Sequence, residues 1–431
     1  MSLNFSTCNN DKNEPRGPGF INERSKYFYG AGEMIASVNN NDPMQTPEMA
    51  AKLAGALGMQ TFRLWMHTGG DFAQRQHDNS IKLNETQVTV YKNILKLLAD
   101  EGVTNIIGMT HYYPFPSGMV IAPGQYGDLG AFPRPGSNYY NTFMKLIEET
   151  FYQMAKTFTE VKYWECGNET NDTNNGHMYC RPADGGTPFT KAEKAHITTD
   201  LMFYAAKGMK RGNPNSVSVM PGLVFDNTNL QTGIVYFLKQ IYENIASGKF
   251  PSTGLDAVST NNDDYFDVLN WHPYEYSGKT GVDSSFIKLN NAVYTVAGNY
   301  GDAGKKVFFT EFGWTTTEDN RTITRAQFEE RQKNYLAEGF VNIYNYLPYV
   351  ESVIVFRMFD NEKASIIMNM AATIETGFGL FTSAGMDSTW KGPRPKKMTV
   401  ELFKLIKGIN ADISPLYQYY DDTKPNDYTT L

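Results

Sequence analysis

A single-domain (β/α)8 (TIM) barrel is the fold this chain predicts, on three observations. Short β-branched or aromatic runs alternate strictly with longer stretches of helical period. Eight such pairs can be counted, which favours a closed barrel over an open parallel sheet. The connections after strands are long, whereas the helix-to-strand turns are mostly short, as in a barrel whose C-terminal face carries the site.

In chain order the strands read 27–32, 61–66, 105–111, 161–169, 217–223, 268–274, 306–314 and 352–359. The helical patterns between and after them are 46–57, 86–99, 139–158, 191–211, 234–247, 285–300, 325–346 and 398–409. Thr46-Pro-Glu-Met and Thr324-Arg-Ala-Gln327 each place a hydroxyl cap ahead of an acid or amide, which marks a helix start. Long loops at 112–135, 170–190, 276–284 and 360–393 wall the expected mouth. No linker-rich boundary or internal repeat interrupts the rhythm. Residues 26–412 form the barrel, 1–25 an N-terminal extension and 413–431 a C-terminal tail.

The 431 residues are 41% hydrophobic, enough for a large core, and 14% aromatic, well suited to sugar-binding clefts although many of these rings must be core. A net charge of −7, with no unbroken Lys/Arg run beyond two residues, argues against a nucleic-acid partner. No apolar stretch is long enough for a membrane span, and the polar N-terminus through Pro18 lacks an apolar signal core. That start is either natural or the remainder left once a signal has been removed, so a bacterial secreted or periplasmic location and a cytoplasmic one both stay open. Three cysteines, Cys8, Cys166 and Cys180, allow no disulfide framework and no zinc motif; a Cys166–Cys180 bridge is the one pairing considered.

Two glutamates close strand-like runs: Glu169 in Val161-Lys-Tyr-Trp-Glu-Cys-Gly-Asn-Glu169, and Glu311 in Lys306-Val-Phe-Phe-Thr-Glu-Phe-Gly-Trp314. Ends of the fourth and seventh strands face one mouth, so the two carboxyls can approach each other. Either alone would be an ordinary solvated strand-end acid. Together, each with a specific flank, they read as the acid/base and nucleophile of glycosidic bond cleavage. Asn168-Glu-Thr170 is also an N-glycosylation acceptor, and a glycan there would block the site, which argues against a glycosylating secretory pathway.

Asn168-Glu169 and Thr310-Glu311-Phe-Gly resemble the fourth- and seventh-strand motifs of the retaining (β/α)8 glycoside hydrolases of clan A, with families 5 and 39 nearest. The resemblance implies that Glu169 is the acid/base, Glu311 the nucleophile and β-linked oligo- or polysaccharide the substrate. It also implies that Arg63 and Tyr274 support the ionised nucleophile. Asn168 is expected on the 2-hydroxyl of the sugar. His111 and His272 are candidates for binding a hydroxyl or orienting a carboxylate, against the plainer reading of packed core histidines.

Trp314, Trp65 and Trp271 are candidate stacking platforms for a sugar ring, whereas strand alternation turns Trp164 away from Glu169 and into the core. Members of the clan commonly carry a Trp at the end of the eighth strand; here Phe356-Arg-Met-Phe-Asp360 stands instead, with Phe359 or Arg357 as the replacement. No metal or organic cofactor is expected, as no His-X-His or His-Glu-X-X-His pattern occurs. Two rivals are a carbohydrate-binding barrel without catalysis and a phosphate-binding isomerase or aldolase barrel. Retention of both carboxylates and their partners counts against the first. No predicted strand ends in Lys and Gly377-Phe-Gly379 is a weak phosphate cradle, which counts against the second.

Overall fold

The computed structural model of the protein describes residues 29–33, 46–66, 72–110, 132–137, 139–172, 186–225, 233–248, 259–275, 278–316, 324–360, 377–382 and 391–424. His111, Cys8, Cys180 and large parts of the four long loops lie outside these residues. The described elements are β1 (Tyr29–Glu33), α1 (Pro47–Ala56), β2 (Thr61–Met66), β3 (Ala73–Arg75), β4 (Ile81–Leu83), α2 (Glu85–Asp100) and β5 (Asn105–Thr110). Next come α3 (Tyr140–Thr157), β6 (Tyr163–Glu165), α4 (Lys191–Gly212), β7 (Val217–Val219), β8 (Leu223–Val224), α5 (Ile234–Ser247) and β9 (Leu269–His272). The remainder are α6 (Ser285–Asn299), β10 (Val307–Phe312), α7 (Arg325–Tyr346), β11 (Val350–Phe356) and α8 (Lys397–Lys407).

The sheet runs β7-β6-β5-β2-β1-β11-β10-β9-β8, all parallel. β7 and β8 are two halves of the fifth barrel strand. They are parted at Met220-Pro221-Gly222, where proline has no N–H for the ladder. β7 pairs with β6 and β8 with β9, and the bridges Asn168↔Gly222 and Val219↔Val268 tie the same strand to both neighbours. The sheet therefore closes on itself as a (β/α)8 barrel. The predicted cap residues do what their sequence suggests: Thr46 accepts from the Met49 N–H, and Thr324 with Gln327 forms a reciprocal capping box.

Three departures from the sequence reading have local causes. The antiparallel hairpin β3–β4 follows β2 and is unpredicted, its strands being too short to show a period. The fourth strand stops at Glu165, because Gly167 and Glu169 both adopt positive φ and leave the extended region. Beyond residue 413, Leu416 is fully buried in the core and the turn Ser414–Tyr417 packs on α1, so this part of the tail belongs to the barrel's outer layer. Among the described residues no helix is long and apolar enough to cross a membrane.

Side chains stack inside the barrel in layers. An apolar floor is made by Ile107, Tyr163, Val219, Val268, Phe308 and Ile354. Above it lies a polar layer of Arg63, Glu165, Asn270 and Thr310, all fully buried. Trp164 and Trp271 point the other way, into the fully buried core between strands and helices. Two-residue alternation accounts for both: Glu165, Asn270 and His272 face inward, so their neighbours face out.

Candidate active site

Charge in the barrel is organised around Arg63, a fully buried guanidinium on β2. Its Nε and Nη2 donate to the two oxygens of Glu165 at 2.8 and 2.9 Å, a two-pronged contact. Nη1 donates to Glu311 Oε1 at 2.6 Å, and Nη2 also donates to Asn168 Oδ1 at 2.7 Å. A buried cation needs such company, since an unpaired one would cost several kcal/mol of lost hydration, of order 5 or more. Burial works to lower the Arg63 pKa, but Glu165 and Glu311 outweigh it and the group is held firmly charged.

Glu165 was not among the residues singled out in the sequence. Besides Arg63 it accepts from the Gly222 N–H at 3.1 Å, Asn270 Nδ2 at 3.0 Å and Thr310 Oγ1 at 3.1 Å. One signal for it was present: a charged residue inside an otherwise apolar strand of a parallel barrel must find a buried partner. Gly222 is a second residue that reading missed. A Cβ there would lie 2.0 Å from His272 Nε2, so only glycine lets the imidazole approach this strand.

Glu169 sits just past β6 with φ of 52°, a left-handed conformation that costs a non-glycine residue about 1–3 kcal/mol and persists only when its surroundings hold it. Its backbone N–H donates to Gly222 O at 2.7 Å, and its carbonyl accepts from the Asp172 N–H at 3.0 Å to close a turn. The carboxyl Oε1 lies 2.9 Å from His272 Nδ1. On the other side of that ring, Nε2 lies 3.0 Å from Thr310 Oγ1. A continuous chain thus runs from Glu165 through the Thr310 hydroxyl and the imidazole to Glu169.

Glu311 reaches the same space by a break in alternation. Phe308 and Thr310 face inward, so a regular strand would turn Glu311 out. The β10–β11 register instead slips between Phe309 and Phe312, where β10 carries one extra residue. Such a bulge re-aims one side chain, and here it brings Glu311 to the mouth beside Thr310. Tyr274 OH donates to Glu311 Oε2 at 2.9 Å, opposite the Arg63 contact on Oε1. Burial pushes this carboxyl toward protonation. Positive charge on His272 and Arg63, with the hydrogen bonds from Arg63 and Tyr274, outweighs burial and holds it below the ordinary glutamate range.

Glu169, His272 and Glu311 present ligand atoms within 4.8 Å of one another, close enough to enclose a cation. Both Glu311 oxygens are already engaged, one by a guanidinium, so a metal would compete with Arg63 for the same carboxylate. The donor set suits proton and covalent chemistry better than metal ligation.

The other predicted residues divide. Asn168 is buried beside Glu169 on Arg63, and Trp65 is half-buried at the end of β2, stacked on Phe356 with ring centroids 6.2 Å apart and planes 16° from parallel. Phe356 is half-buried at the end of β11, with the Arg357 guanidinium 5.8 Å from its ring. Phe359 is fully buried against Phe381. Trp271 is likewise turned away from the mouth, its Nε1 donating to Asn290 of α6 at 2.7 Å. Trp314 is nearly buried, its indole N–H donating to the Glu275 carbonyl and its ring edge-on to Phe312. Cys166 is a free buried thiol.

A family model, Cellulase (glycosyl hydrolase family 5), matches residues 30–346, a span that runs from β1 through α7 and contains Arg63, Glu165, Asn168, Glu169, His272, Tyr274 and Glu311. The chain belongs to glycosyl hydrolase family 5. The family 5 enzyme described here is therefore a glycosidase of clan A, with the retaining stereochemistry of that group. No curated protein sequence matches it.

Solved structures share its fold at low identity. A family 39 glycoside hydrolase from Bacteroides cellulosilyticus WH2 is 15% identical with a TM-score of 0.54, over 90% of this chain and 64% of that longer one. A family 1 β-glucosidase from Thermotoga maritima is 12% identical with a TM-score of 0.55, over 90% of this chain and 98% of that one. A family 5 enzyme, GH5_18 from Streptomyces cattleya, solved with Manβ1-4GlcNAc, is 13% identical with a TM-score of 0.55, over 89% and 81%.

Proposed function

We propose that this family 5 enzyme cleaves β-linked oligo- or polysaccharides by double displacement, with Glu311 as nucleophile and Glu169 as acid/base. The observation that carries the reading is the closeness and unequal support of the two carboxyls. Their ligand atoms lie within 4.8 Å. Retaining glycosidases place these groups about 5–5.5 Å apart, whereas inverting ones leave about 6.5–9.5 Å for a water. Glu311 is held ionised by Arg63 and Tyr274. Glu169 faces an imidazole nitrogen that can accept from its acid form or donate to its carboxylate.

In the first step a Glu311 oxygen bonds to the anomeric carbon while the bond to the leaving oxygen breaks and takes up the Glu169 proton. In the second, a water oxygen replaces Glu311 at that carbon and passes its proton to Glu169. Because Arg63 only donates, the Asn168 amide oxygen must face it, which leaves the NH2 group as the donor for a sugar hydroxyl. The β configuration is supported by the Thermotoga maritima β-glucosidase and the Manβ1-4GlcNAc complex among the structural neighbours.

Glu311→Ala and Glu169→Ala tested with added azide separate the roles. The first should lose nearly all turnover and, with azide, form the α-glycosyl azide. The second should form the β-glycosyl azide from an activated aryl glycoside. Near-normal turnover by Glu311→Ala would remove it as the nucleophile.

A further inference from the structure

Beyond the two carboxyls, the loop that carries Glu169 is fastened to the fifth barrel strand in an unusual way. The Glu169 N–H donates to Gly222 O at 2.7 Å, as one more rung of a parallel ladder. After that rung the backbone turns away, since the Asp172 N–H folds back on the Glu169 carbonyl at 3.0 Å. The next pair of backbone groups on the fifth strand, those of Val224, is met by a side chain instead. Val224 N–H donates to Asn171 Oδ1 at 2.7 Å, and Asn171 Nδ2 donates to Val224 O at 3.0 Å. A primary amide carries one acceptor and one donor in the geometry of a peptide group, so Asn171 stands in for the missing strand residue.

We infer that Asn171 is a positioning residue for Glu169, its amide clamp on Val224 holding the turn from which the acid/base carboxyl is aimed at His272 and the anomeric centre. The left-handed φ of Glu169 must be over-determined by its surroundings to persist. Three hydrogen bonds between this loop and Gly222–Val224 supply that, and two of them belong to Asn171. Ala at 171 keeps the backbone rung and frees the turn. Asp keeps the acceptor for the Val224 N–H but sets an oxygen against the Val224 carbonyl. Neither change touches the reacting groups.

The inference rests on Glu169 being the acid/base, and the test separates the two ideas. A matched pair of aryl β-glycosides of a sugar the enzyme cleaves is used, one with a phenol leaving group that needs protonation and one with 2,4-dinitrophenol that does not. General acid catalysis contributes about 10²–10⁴-fold. Asn171→Ala should therefore lower kcat/KM on the phenyl glycoside by about 30-fold or more, while kcat/KM on the dinitrophenyl glycoside stays within about threefold of wild type. Asn171→Asp should fall between them on the phenyl glycoside. Equal losses on both substrates, or none, would overturn the positioning role. Glu169→Ala on the same pair is the control: if it shows no leaving-group dependence, the assignment of Glu169 fails, whereas dependence there without any in Asn171→Ala sinks only the inference about Asn171. Should Asn171→Ala not fold, as judged by circular dichroism, the same substrate pair with Asn171→Asp decides it.

Discussion

Glu165 and Glu311, from the fourth and seventh barrel strands, share one guanidinium: Arg63 gives Nε and Nη2 to the first and Nη1 to the second. A buried cation held between two buried carboxylates leaves one net negative charge in the layer. Glu165 thus tempers the pull of Arg63 on Glu311, which is nevertheless held below the ordinary glutamate range. Removing Glu165 leaves Arg63 half-partnered in a dry layer. Glu165→Ala should lower stability by about 3 kcal/mol, read from urea unfolding followed by tryptophan fluorescence. An unchanged unfolding midpoint would mean that water replaces the carboxylate at no cost.

Tyr274 is the neutral half of the support on Glu311. The folded pKa of Glu311 is lowered, so stability from its charged form is present above the ordinary glutamate value of about 4.3 and is lost as pH falls through the lower folded value. Activity that needs the carboxylate shares that acid limb. Tyr274→Phe removes one donor to the charged form, so the limb of kcat/KM should move up by about one pH unit. A limb that stays in place would show that Arg63 and His272 suffice.

Gly222 makes room for the ring that touches Glu169. With a Cβ placed 2.0 Å from Nε2, Gly222→Ala must displace His272 or the strand. A shift of about 1 Å among reacting groups can cost about 100-fold, so kcat should fall by about that factor. Thermal unfolding measured alongside distinguishes a displaced ring from a collapsed barrel. Wild-type kcat in the variant would show that His272 is dispensable to Glu169.

Cys166 lies next to Glu165 and is fully buried in the core, where burial and that carboxylate push its thiol well above the ordinary cysteine value. It should resist alkylation in the native protein and react only on unfolding, followed by mass-spectrometric peptide mapping with iodoacetamide. Rapid native labelling at this position would show that the fourth strand opens readily.

Much of the barrel was legible in the sequence because its signals are local. Strand and helix periods, the Thr46 and Thr324 caps and the two glutamate motifs each depend on a few neighbouring residues. Arg63 and His272 could be placed at the mouth because they stand on strands whose alternation is regular, whereas Tyr274, two residues past the end of β9, was placed there by the motif it belongs to. Trp271 was chosen for its chemistry although alternation with His272 on the same strand already turns it outward, and Phe359, past the end of β11, is buried by packing against Phe381.

By itself the chain determined the order of its eight strand–helix pairs and that one carboxyl, Glu169, follows the fourth strand while another, Glu311, stands near the end of the seventh, since apolar period and turn chemistry act over a handful of residues. Only the tertiary structure decided that Glu311 points inward, that Glu165 divides Arg63 with it, and that Gly222 and Asn171 set the pose of Glu169. Those outcomes hang on a register slip between neighbouring strands and on buried polar groups that must each find a partner from a distant part of the chain. No short window of sequence contains both halves of such a pair.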